Sequence, residues 1–339
     1  MTDYEDTPTV SQLKTASPQD EGKPFSTVVL YLKSAARTGR TGVSFLNVEF
    51  GDKSGSFNAN LFEDSPARQA LEGVDPGAVL RVDGNIEHYQ GRFSPKIMRV
   101  SVLDDTTIRE QNLLDRLVAC APEDAGQLWE ELNGFIDGIA DPGLRDTVKQ
   151  LMTDHGERFR ICPAAVSMHH AYRNGLLEHS VHMARACAAL LPLYPQVHPS
   201  LAMAGVIVHD IGKTVEYQGD LAPKRSRKGI LQGHVVLGYR LVRQAAIKAK
   251  LDSDLLERLE HIVLSHQGEL EWGAAAMAAT PEAVFVSMID NLDAKMGMVQ
   301  QALRQTAETE IFSDYLPGLK APLLTVPTTA DSSTDETHT

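Results

Sequence analysis

Apolar and polar positions alternate over short runs in the first third of the chain. Runs such as STVVLYLKSA, GVSFLNVEF and KIMRVSVL are rich in β-branched and aromatic residues and are separated by turn residues. This is the pattern of β-strands. Five such runs lie in residues 25–103, and the DKSG stretch predicts a hairpin between the second and the third. Five short strands in a segment of this length are typical of a small barrel such as the OB-fold.

The period changes to a helical one from about residue 107 to about residue 307. Apolar residues recur there at intervals of three and four, as in GLLEHSVHMARACAALL and LLERLEHIVLSH, which predicts amphipathic helices. No repeat of fixed period crosses this half, so a solenoid is disfavoured.

The pattern as a whole predicts a multidomain fold in which a small all-β barrel of OB type precedes an all-α domain. The two ends lack apolar periodicity, and we expect them to be disordered tails. The predicted segments are a tail at 1–22, the barrel at 23–105, a helical connector at 106–158, the all-α domain at 159–310 and a second tail at 321–339.

Composition narrows the class of protein. With 339 residues, 42% hydrophobic and 23% charged, the chain has the composition of a soluble globular protein of two domains. Its three cysteines, Cys120, Cys162 and Cys187, show no CxxC spacing, which argues against a disulfide framework or a thiolate zinc site. We find no signal-like segment and no apolar run long enough for a bilayer, so we expect a cytoplasmic protein with no membrane partner.

The net charge of −13 argues against a protein that coats nucleic acid through overall positive charge. That charge is unevenly distributed. Residues 25–103 hold nine basic and eight acidic residues, so the excess acidity belongs to the helical half and the tails. A local groove for nucleic acid on the barrel therefore remains compatible with the composition.

Histidines concentrate in the helical half, where nine of the 12 lie between His169 and His266. An ordered series of histidines and aspartates runs through it. Its members are His179, His209, Asp210, His234, His266 and Asp290. Imidazole and carboxylate are good ligands for divalent transition metals. At these separations the groups must come from different helices. Six such groups are enough for two metal ions that share Asp210.

This H…HD…H…H…D series resembles the HD superfamily of metal-dependent phosphohydrolases. The words GLLEHSVHMA, VHDIGKTVEY, GHVVLGYRLV, HIVLSHQGELEWG and DNLDAKM are similar to those of the YhaM-type 3′→5′ exoribonucleases, which place an OB-fold before the HD domain. The resemblance covers roughly residues 25–305. The chain departs from the pattern at Gln267, where many relatives have a second histidine, and this puts a role for that position in doubt.

The resemblance implies a set of metal ligands. His179, His209, Asp210 and Asp290 would be the primary ligands, with His234 and His266 completing a second position. His261 is the alternative to His266; the two are about 140° apart on an ideal helix and would not face one metal together. The implied cofactor is one or two divalent ions per site, first Mn²⁺, with Co²⁺, Mg²⁺, Fe²⁺, Ni²⁺ and Zn²⁺ as alternatives.

The chemistry implied is phosphodiester hydrolysis by a metal-activated water, without a covalent enzyme intermediate. The predicted catalytic residues are Asp210, as a bridging ligand with two oxygens to offer, and Lys213, as a partner for the substrate phosphate. His170 and Arg173 are further candidates for phosphate contact, with plain surface positions as the alternative.

Two groups of residues are candidates for contact with nucleic acid. An OB-type groove binds single strands by stacking bases on aromatic rings. The barrel candidates are Phe62, Tyr89, Arg92, Lys53 and Arg37, with a place in the core as the alternative for Phe62. The second group is the basic word PKRSRKG, whose alternative reading is a solvated loop; it contains Lys224, Arg225, Arg227 and Lys228.

We therefore expect a metal-dependent 3′→5′ exoribonuclease that degrades single-stranded RNA to nucleoside monophosphates, its direction being implied by the resemblance alone. Single-stranded DNA is a second expected partner, because stacking need not read the 2′-hydroxyl. One alternative is an HD phosphohydrolase of a cyclic or free nucleotide with a regulatory barrel. Another is a nucleic-acid-binding protein with a structural metal. The sequence leaves open whether the chain forms a homo-oligomer.

Overall fold

The computed structural model describes Tyr4 and residues 6–39, 42–164, 172–306 and 310–325. A β-sheet unit lies at the N-terminal end and a helical unit follows it. The predicted succession of strands and then helices is therefore confirmed. Among the described residues, no helix combines the length and the apolar character that a bilayer crossing requires.

The strands of the sheet unit are β1 (Pro24–Thr38), β2 (Ser44–Asp52), β3 (Gly55–Phe62), β4 (Val79–Asn85), β5 (His88–Tyr89), β6 (Arg92–Phe93) and β7 (Lys96–Val102). The main sheet is antiparallel and five-stranded, in the order β3-β2-β1-β4-β7. A short hairpin, β5 with β6, lies before β7 in the chain.

Alternation along the strands decides which face is buried. In β3, Phe57, Ala59 and Leu61 enter the core, while Asn58 and Asn60 stay at the surface. This is the period-two pattern of a sheet with one buried face. The predicted hairpin between β2 and β3 forms, with the Asp52 carboxylate accepting a hydrogen bond from the Ser54 amide at 2.8 Å.

The first residues depart from the predicted disordered tail of residues 1–22. A short helix, α1 (Val10–Lys14), is closed by a capping box between Thr9 and Gln12. Val10 and Leu13 are buried in the core of the sheet unit. The described part of this segment is therefore packed against the sheet. Two apolar residues are too few to show a period, and only contacts distant in sequence fix them in place.

The second predicted tail, residues 321–339, begins within a segment that makes backbone bridges. Phe312 pairs with Leu324, and Leu316 pairs with Ala321, so residues 321–325 belong to a paired segment. Residues 326–339 lie outside the described part of the chain.

Helices make up most of the rest of the described chain. A single 3-10 turn at Pro18–Asp20 and helix α2 (Pro66–Gln69) lie within the sheet unit. The helical unit is interrupted by a short hairpin with two residues in each strand, β8 (Tyr217–Gln218) and β9 (Lys224–Arg225). It also contains 3-10 turns at Leu191–Leu193 and Leu270–Trp272. The helices are α3 (Asp105–Glu110), α4 (Leu114–Leu117), α5 (Ala125–Asp137), α6 (Pro142–Ile161), α7 (Gly175–Leu190), α8 (Pro199–Val208), α9 (Lys213–Glu216), α10 (Arg227–Lys248), α11 (Ser253–Ser265) and α12 (Pro281–Gln305).

Helix α8 is the centre of the helical unit. Its sequence is apolar on all sides, and residues 200–208 are all buried, as expected for a helix with no polar face. The helix is surrounded by α6, α7, α11 and α12. Whatever follows its C-terminal end is therefore placed in the interior.

An apolar cluster joins the sheet unit to the connector. Val28 and Leu30 of β1 and Val79 of β4 pack with Ile108, Leu113 and Leu117. Leu221, from the loop between β8 and β9, lies against the same cluster. The sheet unit, the connector and this hairpin loop of the helical unit are thus in contact.

Thiol reactivity tests this packing. Burial raises the pKa of Cys162 and of Cys187 to about 12, whereas Cys120 is exposed. A thiol with a raised pKa holds almost no thiolate at about pH 8, so only Cys120 should react with iodoacetamide in the folded protein. Mass spectrometry should find one modified cysteine, and all three after denaturation. Fast labelling of a Cys120→Ser variant without denaturant would contradict the fold.

Candidate metal centre

The six predicted metal ligands come from five segments of the helical unit and converge around Asp210. Several stand at a helix end or a kink, where the chain changes direction. His179 lies in α7, His209 caps α8 and is followed by Asp210, His234 follows a kink in α10, His266 caps α11, and Asp290 lies in α12.

Glycines set the approach of the turn after α8 to α10. A Cβ at Gly212 would lie 2.0 Å from the carbonyl oxygen of His234 and 2.5 Å from the amide nitrogen of Gly238. Only glycine fits at such a contact. Gly233 has φ 69°, the left-handed conformation that glycine adopts without strain, and it turns α10 immediately before His234. The segment VHDIGK, which contains Gly212, therefore packs closely against the segment GHVVLG, which contains His234 and Gly238.

The Asp210 carboxylate lies between two pairs of imidazoles. Its Oδ2 is 3.3 Å from Nε2 of His209 and 3.9 Å from Nε2 of His179. Its Oδ1 is 3.6 Å from Nε2 of His234 and 3.5 Å from Nε2 of His266. Asp290 adds a second carboxylate, with Oδ1 3.3 Å from Nε2 of His179. Each oxygen of Asp210 thus faces its own pair of nitrogen ligands.

The Nδ1 atom of each of the four imidazoles has a polar partner on the side of the ring away from Asp210. Nδ1 of His209 donates to the Val206 carbonyl at 2.8 Å, and Nδ1 of His266 donates to the Val263 carbonyl at 2.7 Å. These bonds orient both rings so that Nε2 faces Asp210. A hydrogen-bonded Nδ1 behind a ligating Nε2 is the usual arrangement of metal-binding histidines.

Carboxylates do the same for the remaining two rings. Nδ1 of His234 lies 2.9 Å from Oε2 of Glu216. Nδ1 of His179 lies 2.6 Å from Oδ2 of Asp293. A carboxylate at this position also increases the basicity of the ligating nitrogen.

The residues present fit a divalent metal. Oδ1 of Asp210 is buried and has no hydrogen-bond partner among the described residues, and an unpaired buried polar atom is costly unless a cation satisfies it. The nitrogen and oxygen donors suit a divalent transition ion. Two sets of three can each hold one: His179 with His209 and Asp210, and Asp210 with His234 and His266.

Charge in the site is strongly coupled. Burial acts to raise the pKa of Asp210, but Lys213 and His209 lower it well below its usual value. Burial likewise opposes ionisation of Asp290, but the hydrogen bond from His179 lowers its pKa to about 2. Burial acts to lower the pKa of His179, and its bonds to Asp290 and Asp293 raise it to about 10. Both aspartates therefore carry negative charge at neutral pH, as metal ligands must, whereas a metal bound at Nε2 of His179 would have to displace the proton that this raised pKa holds on the ring.

Lys213 is the first residue of α9 and is almost fully buried. Its Nζ donates to Oδ2 of Asp210, and this bond and the aspartate charge raise its pKa against the effect of burial. The ammonium group of Lys213 therefore lies beside the carboxylate shared by the two candidate metal positions.

The remaining site candidates from the sequence are His261, Arg173 and His170. His261 is turned away, since its Nε2 accepts a hydrogen bond from the Ala279 amide at 2.8 Å. Arg173 joins the connector through its backbone, which bonds to Ala119 and Ala121 at 2.9 Å each. His170 lies outside the described residues.

Three residues near the ligands were not assigned a role from the sequence. Asp293 follows Asp290 by three positions and Glu216 follows Lys213 by three, so helical spacing was the signal that could have identified both. Gln267, whose role the sequence put in doubt, lies in the site. Its Nε2 is 3.0 Å from Nε2 of His234 and 3.2 Å from Nε2 of His266.

The predicted nucleic-acid contacts on the sheet unit are exposed, at separate places. Phe62 packs on Phe45, with 5.9 Å between ring centroids, and lines a cavity of about 650 Å³. Arg37 is paired with Phe45 across β1 and β2, which places it in line with Phe62. Tyr89 and Arg92 line a second cavity, of about 580 Å³. Lys53 is exposed in the turn between β2 and β3, where its amide bonds to the Arg116 carbonyl at 3.3 Å.

The basic cluster Lys224, Arg225, Arg227 and Lys228 spans β9 and the start of α10, and all four residues are exposed. Nε of Arg225 is 3.5 Å from Oε1 of Glu216. The other oxygen of this carboxylate accepts from His234, so Glu216 connects the basic cluster to the second pair of imidazoles.

Comparison with known families places these residues in one domain. Residues 176–295 match the family described as HD domain, and this stretch holds all six predicted ligands. HD domains are usually metal-dependent hydrolases. The prediction of an HD domain is confirmed, and the clustered His and Asp side chains could hold the divalent ion that such a domain uses.

Part of the chain is also similar to a chain in a solved structure of a replication protein A heterotrimer bound to ssDNA. The two are 14% identical, and the match covers 31% of this chain and 87% of that chain, with a TM-score of 0.24. A score this low does not establish a shared fold.

A Gly212→Ala substitution tests the steric link between the turn and α10. The added methyl overlaps the His234 carbonyl, so we expect the free energy of unfolding to fall by about 1–3 kcal/mol. Urea unfolding measures this loss, and titration with Mn²⁺ should show weaker binding as His234 is displaced.

Gly134→Ala is the matched control. A Cβ at Gly134 meets nothing within 4 Å, and the residue lies inside α5. This variant should gain about 0.5–1 kcal/mol. Equal effects of the two substitutions would refute the proposed contact.

Proposed function

We propose that the chain is a metal-dependent 3′→5′ exoribonuclease that binds single-stranded RNA on its sheet unit and hydrolyses it at the HD centre. The observation that carries the proposal is the arrangement around Asp210. A buried carboxylate oxygen without a described hydrogen-bond partner faces His234 and His266, while the other oxygen faces His179 and His209. The direction of attack rests on the sequence resemblance to YhaM-type enzymes.

The topology of the sheet unit supports an OB-type barrel. Strands β1, β2 and β3 form a meander, β4 pairs with the other edge of β1, and β7 pairs with β4. The outer strands β3 and β7 also contact each other, as they must for the sheet to curve toward closure. A partly open five-stranded barrel is the architecture of the OB-fold, whose second and third strands carry its oligonucleotide-binding face.

That face of this sheet carries suitable groups. Phe62 and Phe45 present rings at one end of β2 and β3, and Arg37 lies beside them in β1. Asn47 and Asn60 form the next row and bond to each other at 2.7 Å. Stacking of a base on an aromatic ring contributes about 1–3 kcal/mol whatever the base. Such a surface suits single strands of mixed sequence and does not require an overall positive charge.

At the HD centre, the ligands would be His179, His209, Asp210 and Asp290 at one position and Asp210, His234 and His266 at the other. A divalent ion held by these residues would supply hydroxide at neutral pH, since coordination lowers the pKa of water from 15.7 toward about 7. Lys213 would neutralise a phosphate oxygen of the scissile linkage, because its ammonium group already lies beside Asp210. We assign no covalent role to any serine or cysteine.

A degradation assay tests the function directly. The purified chain with Mn²⁺ and 5′-labelled single-stranded RNA should give a descending ladder with nucleoside monophosphates as product, and chelation should stop the reaction. Asp210→Asn should lose at least about a thousandfold in rate, since removal of a single catalytic carboxylate costs about 10⁴-fold in serine proteases. The surface variant Asp137→Asn is the control and should keep full activity.

Other outcomes of that assay separate the alternatives. Turnover confined to a panel of cyclic and free nucleotides would identify a small-nucleotide phosphohydrolase, and RNA binding without turnover would identify a binding protein with a structural metal. A ladder that shortens 3′-labelled RNA from its 5′ end would overturn the proposed direction.

Charge reversal at the basic cluster tests whether it guides the RNA backbone. Lys224, Arg227 and Lys228 changed together to Glu leave Arg225 and its contact with Glu216 in place. Loss of three phosphate contacts should reduce the slope of log affinity against log salt by about 2. Fluorescence anisotropy in the Asp210→Asn background measures binding without cleavage.

Lys248→Glu with Lys250→Glu is the control, since both residues lie near the far end of α10. This pair should leave the salt slope unchanged. If the cluster variant also leaves it unchanged, the cluster does not contact RNA.

A further inference from the structure

A chain of polar contacts leads from the candidate metal centre to the connector. Behind His179, Oδ2 of Asp293 binds its Nδ1 at 2.6 Å. The other oxygen of Asp293 lies 3.3 Å from Nδ1 of His182, and Nε2 of His182 lies 2.6 Å from Oε1 of Glu123. These contacts join residues far apart in the sequence, since 114 residues separate His179 from Asp293 and 59 separate His182 from Glu123.

Glu123 is itself held in place. Both of its oxygens accept from Arg185 of α7, at 3.0 and 2.9 Å. Arg185 also donates to Glu131 of α5, at 2.9 and 2.6 Å. The guanidinium group therefore clamps the start of α5 to α7, and paired contacts of this kind fix geometry as well as charge.

Glu123 lies outside the segment 176–295 that matches the HD domain. It belongs to the connector, directly before Asp124, which caps α5. Asp293 lies inside the matched segment, three positions after the ligand Asp290, so the two carboxylates of α12 contact opposite nitrogens of the same His179 ring.

We propose that Asp293 and Glu123 are positioning residues for the metal centre, and that the connector is therefore a working part of it. Asp293 holds His179 so that Nε2 faces Asp210, and Glu123 holds Asp293 through His182. The inference rests on the metal-binding role assigned to His179 in the proposed function. It adds a residue from outside the HD domain on which metal affinity depends.

Asp293 and Glu123 would act on metal affinity only by orienting the His179 ring. His179 is 1% exposed, and the contact at Nδ1 determines which nitrogen faces the metal. Loss of a carboxylate behind a ligating histidine typically weakens metal binding by about 10- to 100-fold. A carboxylate one step further away should have a smaller effect of the same kind.

The test measures metal affinity in the full-length chain, by titration with Co²⁺ followed by visible absorption. Asp293→Ala should raise the Kd for Co²⁺ by about 10- to 100-fold, and Glu123→Ala by about threefold to tenfold. Glu130→Ala is the matched control, because Glu130 is an exposed carboxylate of α5 with no described contact to Arg185 or His182. It should change the Kd by less than about twofold.

A double-mutant cycle separates positioning from a general loss of structure. If Asp293 acts through His179, then Asp293→Ala should have no further effect on the Kd in a His179→Ala background. Glu123→Ala should likewise lose its effect in a His182→Ala background. Additive effects in both cycles would overturn the inference.

Steady-state kinetics on RNA at saturating Mn²⁺ give a second readout. Neither residue is assigned a contact with substrate, so KM should be unchanged in both variants. The metal titration stands independently of RNA hydrolysis. If the wild type cleaves RNA but Asp293→Ala binds Co²⁺ as tightly as the wild type does, the inference about Asp293 is contradicted and the proposed function is not. A wild type that binds Co²⁺ with the predicted variant effects but cleaves no RNA would defeat the proposed function alone.

Discussion

The buried carboxylate of Asp210 is the group on which the rest of the helical unit depends. A charge removed from water is costly unless it is paired, and α8, a helix with no polar face, delivers this one to the interior. Lys213 pairs with one oxygen, and the imidazoles of α7, α8, α10 and α11 surround both. The packing of helices around α8 can thus be understood as a means of bringing these groups to one carboxylate.

Contacts at the Nδ1 atoms of the four imidazoles hold the rings in this arrangement. Two of the imidazoles are held by carbonyl groups of their own helices, which local helix geometry supplies. The other two are held by Glu216 and Asp293, and these carboxylates contact groups further out: Arg225 for the first and His182 for the second. Polar contacts therefore connect the candidate metal centre to the basic cluster through Glu216 and to the connector through Asp293 and His182.

The sequence predicted what local pattern and motif spacing determine. Alternation gave the strands of the sheet, and the words around His179, His209 and Asp290 indicated the HD domain. It did not predict the burial of Val10 and Leu13, because a five-residue helix has no period to detect and is fixed by contacts with a distant sheet. Nor could it pair Glu123 with His182, since that contact exists only once α5 has packed on α7. The position of Gln267 beside His234 and His266 likewise depends on the relative placement of α10 and α11.

The most direct test of the account is the anomalous difference map of crystals soaked in Mn²⁺. If Asp210 is shared between two metal positions, the map should show one peak between Oδ2 and the pair His179 and His209, and a second between Oδ1 and the pair His234 and His266. The two peaks should lie about 3.5–4 Å apart, as in other two-metal hydrolytic sites. A single peak contacting only one oxygen of Asp210 would contradict the shared carboxylate, and a map without a peak at Asp210 would contradict the metal centre itself.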